Sequence, residues 1–185
     1  MNITVFFGSS RNNGNSELLA KEVVKGFSYE EIRLQNLNIV PIEDKRHDLN
    51  GFSIQDDDYD FIIHQILKSD VLIFSTPIYW YSMSGTMKVM IDRFSQAIRD
   101  ERFPNFKEHL QHVKVIVLAV GGDEPRIKGL PMIQQFQYIF DFLGMSFDQY
   151  LIAEGNRPGD VLLDEKAMNE SKLLNKWLHQ LETSM

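Results

Sequence analysis

VLIFS, residues Val71–Ser75, is the stretch on which the fold class turns. It runs without polar alternation, which is how a strand reads when both of its faces are buried. Two further runs share this character. ITVFF (Ile3–Phe7) is short, β-branched and aromatic and ends at Gly8, and Val113–Val120 is apolar apart from Lys114 and ends in Gly121-Gly122. Weaker strands are predicted at Tyr29–Leu34, by alternation, and at Phe147–Ala153. Between them lie segments of helical period. Over Asn15–Gly26 the residues Leu18, Leu19, Val23, Val24 and Phe27 recur at helical spacing, with Gly26 as a stop. Phe61, Ile62, Ile66 and Leu67 follow Asp56, Asp57 and Asp58, whose charges suit the start of a helix dipole and read as a capped first turn. Met87, Met90, Ile91, Phe94 and Ile98 mark a helix over Ser84–Ile98, Pro131–Leu143 reads as a helix stopped by Gly144, and Asp164–Leu181 as a terminal amphipathic helix. The stretch from Leu37 to Gln55 is irregular and polar. Strands alternating with helices, several of the strands continuously apolar, imply a parallel sheet covered on both faces, a doubly wound α/β fold. No repeat, linker or low-complexity tract interrupts the 185 residues, so a single domain over 1–185 is expected.

Composition excludes several chemistries. The chain has no cysteine, so disulfides, thiolate metal sites, cysteine nucleophiles and cysteine-ligated clusters are ruled out, and a reducing, cytoplasmic setting is expected. The opening MNITVFF lacks a basic start and its apolar run is too short for a signal peptide or a membrane span, so it reads as a strand. A formal net charge of −7 argues against nucleic acid or an anionic membrane as partner and leaves a small molecule or a protein. His47 with Asp44 and Asp48 reads as solvated loop charge, and His64, His109, His112 and His179 lack ligand-like spacing, so no metal site is expected. No Ser-His-Asp or paired-carboxylate constellation is present, and no side chain is expected to act as the catalyst.

Ligands of doubly wound sheets bind beyond the carboxyl ends of the strands, near the point where strand order reverses. After the first strand comes Gly8-Ser9-Ser10-Arg11-Asn12-Asn13-Gly14-Asn15-Ser16, small and hydrogen-bonding, opening a helix. Backbone N–H groups at a helix start, the hydroxyls of Ser9, Ser10 and Ser16, the amide of Asn15 and the charge of Arg11 suit an anion. It is neither a Walker A loop nor a GxGxxG loop, and an ordinary polar turn capped by Asn15 or Ser16 is the competing reading. After the third strand comes Ser75-Thr76-Pro77-Ile78-Tyr79-Trp80-Tyr81-Ser82-Met83-Ser84-Gly85. Three consecutive aromatics in a turn suit a planar ring system or a partner chain, the alternative being a corner packed on its own helix. Gly121, Gly122 and Asp123 end the fourth strand, where paired glycines allow close backbone approach or simply form a turn.

In order and spacing, GSSRNNGNSELLA (8–20), STPIYWYSMSGTMKVMIDRF (75–94) and AVGGDE (119–124) resemble the NADPH-dependent FMN reductase branch of flavodoxin-like proteins. The resemblance covers essentially the whole chain and implies a five-stranded parallel sheet of order 2-1-3-4-5, FMN as cofactor and NAD(P)H as co-substrate. It implies that Ser9, Ser10, Arg11, Asn15 and Ser16 hold the FMN phosphate. Pro77, Ile78, Tyr79 and Trp80 would then lie along the isoalloxazine, with Gly121, Gly122 and Asp123 closing a third side. Lys88, Asp92 and Arg93 belong to the pattern but read as structural, Lys88 and Asp92 being an i,i+4 pair. Relatives with a cysteine cluster between the second and third strands are set aside, because Pro41–Asp48 has none. In such an enzyme the flavin carries the hydride chemistry, and ping-pong turnover with a small acceptor is expected: a quinone, an azo or nitro compound, free flavin or a metal oxyanion. Arg99, Arg102, Arg126 and Lys128 are candidates for an NADPH 2′-phosphate. A homodimer or homotetramer is expected, through Phe94–Phe106 and the Tyr79–Tyr81 corner. The rivals are a flavodoxin-type electron carrier without nicotinamide activity and a flavin-free protein that kept the fold.

Overall fold

Strand β3 (Val71–Pro77) lies at the centre of one parallel sheet, as its two-sided apolar character demands. The computed structural model describes residues 1–49 and 51–184. The other strands are β1 (Ile3–Phe7), β2 (Tyr29–Arg33), β4 (Lys114–Gly121) and β5 (Gln149–Glu154), in the order β2-β1-β3-β4-β5. Ile3 pairs with Tyr29 on one side and Val71 on the other, Val71 with Lys114, and Ile116 with Gln149. Winding starts at β1, runs outward to β2 and returns to β3, so the order reverses between β1 and β3. There the two flanking loops diverge and leave a crevice at the carboxyl ends.

Successive strand residues point to opposite faces, and the core divides accordingly. Phe6, Phe74 and Val117 join one cluster with α2 (Tyr59–Lys68), α3 (Gly85–Asp92), α4 (Phe94–Ala97), α5 (Phe106–Leu110) and α7 (Leu130–Leu143). Val5, Ile73, Ile116 and Leu118 join the other with α1 (Asn15–Val23) and α8 (Glu165–Ser184). A short α6 (Pro125–Lys128) precedes α7. Gly26 and Gly144, read from the sequence as helix stops, have φ of +87° and +75°.

Three details differ from the sequence reading. The helix expected over Ser84–Ile98 starts with Ser84 as cap, its Oγ accepting from the Met87 N–H at 3.3 Å, but divides at Arg93 into α3 and α4. The backbone tightens there, Arg93 N–H reaching Met90 O at 3.1 Å and Gln96 N–H reaching Arg93 O at 3.0 Å. Second, Asp57 is more than a cap. It accepts from the Tyr59 N–H at 3.1 Å and the Val40 N–H at 2.9 Å and forms a buried ion pair with Arg93. Burial pushes the Asp57 carboxyl up, but the Arg93 guanidinium and the two backbone donors outweigh it and hold it below the usual carboxylate range. Third, Phe94, Phe103 and Phe106 are core residues, so Phe94–Phe106 does not supply the expected exposed apolar surface. That surface lies on α7, where Tyr138 and Phe142 are 63% and 72% exposed. The Lys88–Asp92 pair forms as read, at 2.6 Å.

Candidate functional site

At the end of β1, Gly8 passes the end of the β3–α3 connection so closely that an added Cβ would meet Ser84 Oγ at 2.6 Å. The chain then loops to α1, whose N-cap, Gly14, has no side chain with which to satisfy the first turn. Among the described residues nothing accepts from the backbone N–H groups of Asn15, Ser16 and Glu17. An α-helix start with open donors attracts an anion through both its hydrogen bonds and its dipole. The Ser9 side chain shapes the loop by accepting from the Arg11 N–H at 3.1 Å, while Arg11 itself is exposed.

A buried carboxylate braces this loop from beneath. Glu17 accepts from Arg33 Nη2 and Nη1 at 2.7 and 2.9 Å, from Lys21 Nζ at 2.6 Å and from the Asn13 N–H at 2.7 Å. The Arg33 bonds foremost, then Lys21 and Asn13, outweigh burial and lower its pKa to about 2. Asn13 is thereby held at φ +54°, a left-handed conformation that asparagine tolerates well. Asn12 Oδ1 accepts from Arg33 at 3.3 Å and Gln35 at 3.1 Å, so the loop is tied to the end of β2 as well.

Beyond β3, Ile78 N–H donates to Val120 O at 2.7 Å, and the chain reverses in a two-residue turn closed by Tyr79 N–H to Ser82 O at 2.9 Å and Ser82 N–H to Tyr79 O at 3.1 Å. Its central residues, Trp80 and Tyr81, have φ of +49° and +62°, positions that Asn-Gly usually occupies in such turns. A non-glycine residue there costs about 1–2 kcal/mol. The conformation persists because the Tyr81 hydroxyl donates to Asp123 Oδ2 at 2.8 Å and Ser82 Oγ donates to Gln135 Oε1 at 3.1 Å. Trp80 is left 95% exposed. The Asp123 carboxyl is held below its usual range by Lys128 Nζ at 2.6 Å, then by Tyr81.

Between the two loops runs a cleft of ≈ 260 Å³. Ser9, Arg11, Asn15 and Ser16 line one end, Pro77, Ile78 and Tyr79 the other, and Gly121 and Gly122 the side. Those glycines fit closely, since a Cβ on Gly121 would crowd Ile78 and Pro125 at 3.2 Å and one on Gly122 would crowd Asn156 at 3.0 Å. Trp80 and Asp123 line an adjoining hollow of ≈ 250 Å³ on the far side of Ile78, together with Tyr81 and Lys128. Ser10 is exposed in the loop and lines neither space. A larger hollow of ≈ 490 Å³ lies between the 45–54 loop and residues 96–102, with no residue from a strand or from the loops after β1, β3 and β4.

Some expected roles change. The Asn15 amide, read as a donor to the anion, is partly engaged elsewhere: Nδ2 donates one hydrogen to Arg157 O at 2.8 Å and Oδ1 accepts from the Gly159 N–H at 2.9 Å. Its second Nδ2 hydrogen and its backbone N–H carry no bond to a described residue. Three of the four basic candidates for a 2′-phosphate are engaged: Arg102 with Asp100 and Asp60, Arg126 with Asp164, and Lys128 with Asp123 and Glu124. Arg99 bonds the Ser95 carbonyl at 2.8 Å. Gly155, Asn156 and Pro158, on the loop after β5, line the cleft and were not anticipated. The turn-rich string Gly155-Asn156-Arg157-Pro158-Gly159 marks a loop at a strand's carboxyl end, but β5 is an edge strand away from the reversal point.

The cleft therefore has open anion donors at one end, an apolar and aromatic wall at the other, and glycine backbone between them. A ligand with a terminal phosphate and a flat ring, such as FMN, fits that donor set. The family model for NADPH-dependent FMN reductase matches residues 1–153. The YwqN protein of Bacillus subtilis (strain 168), whose name describes an NAD(P)H-dependent FMN-containing oxidoreductase, is 53% identical over 176 residues, 95% of this chain and 97% of its own. The solved structure of the Trp repressor binding protein from Bacillus subtilis is 48% identical, with a TM-score of 0.79 over 93% of this chain and 96% of that one. An FMN-dependent NADH-azoreductase from Bacillus anthracis str. Ames Ancestor, in complex with FMN, shares the fold, with a TM-score of 0.69 at 15% identity over 96% and 99% of the two chains. With the phosphate loop, the aromatic turn and the glycine pair all inside the matched span, the chain belongs to the NADPH-dependent FMN reductase family.

Proposed function

We propose that the cleft holds FMN with its phosphate on the start of α1, and that hydride passes from NAD(P)H to a small acceptor in ping-pong turnover. The chain is an NAD(P)H-dependent flavin oxidoreductase with FMN as cofactor and NAD(P)H as co-substrate. What carries the placement is the open first turn of α1 beside the apolar wall of Pro77, Ile78 and Tyr79, at the reversal between β1 and β3. The N–H groups of Asn15, Ser16 and Glu17 hold the phosphate, and Arg11 adds a full charge. Ser9 keeps the loop in shape, and Ser16 completes its polar rim, while Ser10, proposed with them from the sequence, stands outside the cleft. Pro77, Ile78 and Tyr79 exclude water from the ring, while Gly121 and Gly122 bring backbone to its edge. Bound there, the flavin accepts hydride and passes on one or two electrons. Trp80 and Tyr81, with Asp123, shape the mouth that nicotinamide and then acceptor occupy in turn. The acceptor class is a quinone, an azo or nitro compound, free flavin or a metal oxyanion, and the whole chain acts as one domain in the cytoplasm.

The test is anaerobic stopped-flow mixing of FMN-loaded protein with NAD(P)H, then with a quinone. Rapid bleaching followed by recovery of colour is expected, with parallel lines in double-reciprocal plots. Bound FMN that NAD(P)H does not bleach would restore the electron-carrier reading, and failure to bind FMN would remove the placement.

The active form is proposed to be a homodimer or homotetramer. Large apolar side chains are exposed on α7 (Leu130, Tyr138 and Phe142) and at the Tyr79–Tyr81 turn, the kind of surface that a second subunit would cover.

A further inference from the structure

We infer that Asn156, on the loop after β5, contacts the uncharged polar part of the flavin, and that Asn15 is the positioning residue that sets it there. The inference rests on the flavin occupying the cleft. Asn156 lines that cleft with an exposed carboxamide that makes no hydrogen bond to any described residue. Its Cβ stands against Gly122, where an added Cβ would crowd it at 3.0 Å. A free amide offers a donor and an acceptor together, which suits hydroxyls and the mixed edge of a flavin ring and gives no advantage with a phosphate.

Asn156 has its place because the loop is gripped from the phosphate end. Asn15, the first residue of α1, donates Nδ2 to Arg157 O at 2.8 Å and accepts at Oδ1 from the N–H of Gly159 at 2.9 Å and of Val161 at 3.4 Å. One side chain thus spans both limbs of the loop across more than 140 residues of sequence. Gly155 makes this possible, since a Cβ there would lie 2.8 Å from Asn15 Nδ2. Asp160 Oδ2 completes the turn by accepting from the N–H of Asn156 at 3.2 Å and of Arg157 at 2.7 Å. Asn15 therefore borders the phosphate cradle with its backbone and orders the Asn156 loop with its side chain, linking the two ends of the site.

Fluorescence-quenching titrations of apoprotein with FMN and with riboflavin, which lacks the phosphate, test this in wild type, Asn156→Ala, Asn15→Ala and the double variant. Urea unfolding of each apoprotein accompanies them. Asn156→Ala, an exposed position, is expected to fold as wild type and to weaken both flavins by a similar factor, about 5- to 10-fold. Asn15→Ala is expected to weaken both as well, and adding Asn156→Ala to it should cost little more, since the pair acts as a unit. Unchanged affinity of Asn156→Ala for both flavins would overturn the contact. Loss confined to FMN in Asn15→Ala, or strictly additive losses, would overturn the positioning role. Wild-type apoprotein that binds neither flavin would overturn the placement of FMN itself.

Discussion

Trp80 is 95% exposed and sits at φ +49°, so its side chain contributes little to packing while its backbone conformation costs energy. Glycine at this position would remove the cost, and Trp80→Gly is expected to stabilise the apoprotein by about 0.5–1 kcal/mol in urea unfolding while raising KM for NAD(P)H. A loss of stability instead would mean that Trp80 packs against something the exposed turn does not reveal. Glu17 is the opposite case, buried and heavily bonded. Its ordinary value of 4.5 is lowered to about 2, so between those values the unfolded chain binds more protons than the folded one. The stability Glu17 provides is therefore complete above about pH 4.5 and lost as pH falls towards 2, and at about 1.4 kcal/mol per pH unit it amounts to roughly 3 kcal/mol. The gap in unfolding free energy between wild type and Glu17→Gln should accordingly be wide at pH 6 and shrink at pH 3. A gap independent of pH would show that the Glu17 charge is not what matters.

At the level of elements, the division between α3 and α4 falls at one buried, heavily bonded residue. Arg93 donates to Val40 O at 2.7 Å and to Gln96 Oε1 at 3.0 Å, pairs with Asp57, and lies over the Tyr59 ring at 4.7 Å. It thereby joins the helix after β3 to the irregular stretch before α2. Removing one partner of a buried pair strands the other charge, so Arg93→Met is expected to cost about 3–5 kcal/mol in urea unfolding. Asp57→Asn/Arg93→Met should cost clearly less than the two single changes added together. Additive costs would mean that the two side chains are not coupled. Periodicity located the long helices well because their apolar stripes extend over several turns. The short α5 and α6 escaped it, since segments of four or five residues carry too few repeats to show a period, while α4 was read as the end of one helix with α3. The break before α4 falls at Arg93, whose pair with Asp57 joins residues 36 apart.

For the whole molecule, the parallel order brings loops from the carboxyl ends of four strands, β1, β3, β4 and β5, to one cleft. Among the described residues no helix is long and apolar enough to cross a membrane. The exposed face of α7 is the surface on which self-association is expected. Sedimentation velocity at micromolar concentration should show a dimer or larger for wild type, and Phe142→Glu with Tyr138→Glu should shift it towards monomer without changing the circular dichroism. A wild type that remains monomeric would remove the oligomer proposal.

The apolar strands Val71–Ser75 and Val113–Val120, the second broken only by Lys114, made the parallel, doubly covered sheet legible in the sequence, because burial on two faces leaves little room for polar alternation. The polar loop after β1 and the aromatic turn after β3 stood out for a different reason, small polar residues and clustered aromatics at strand ends, and the structure places them side by side along one cleft. Only the tertiary structure decided how those residues divide their work. It joined the Asn15 side chain to a loop more than 140 residues distant, engaged Lys128 and Arg126 with carboxylates, and brought Asn156 into the cleft. Each of these outcomes depends on which of several available partners lies within hydrogen-bond reach, a matter of distance in space that residue type and local spacing do not encode.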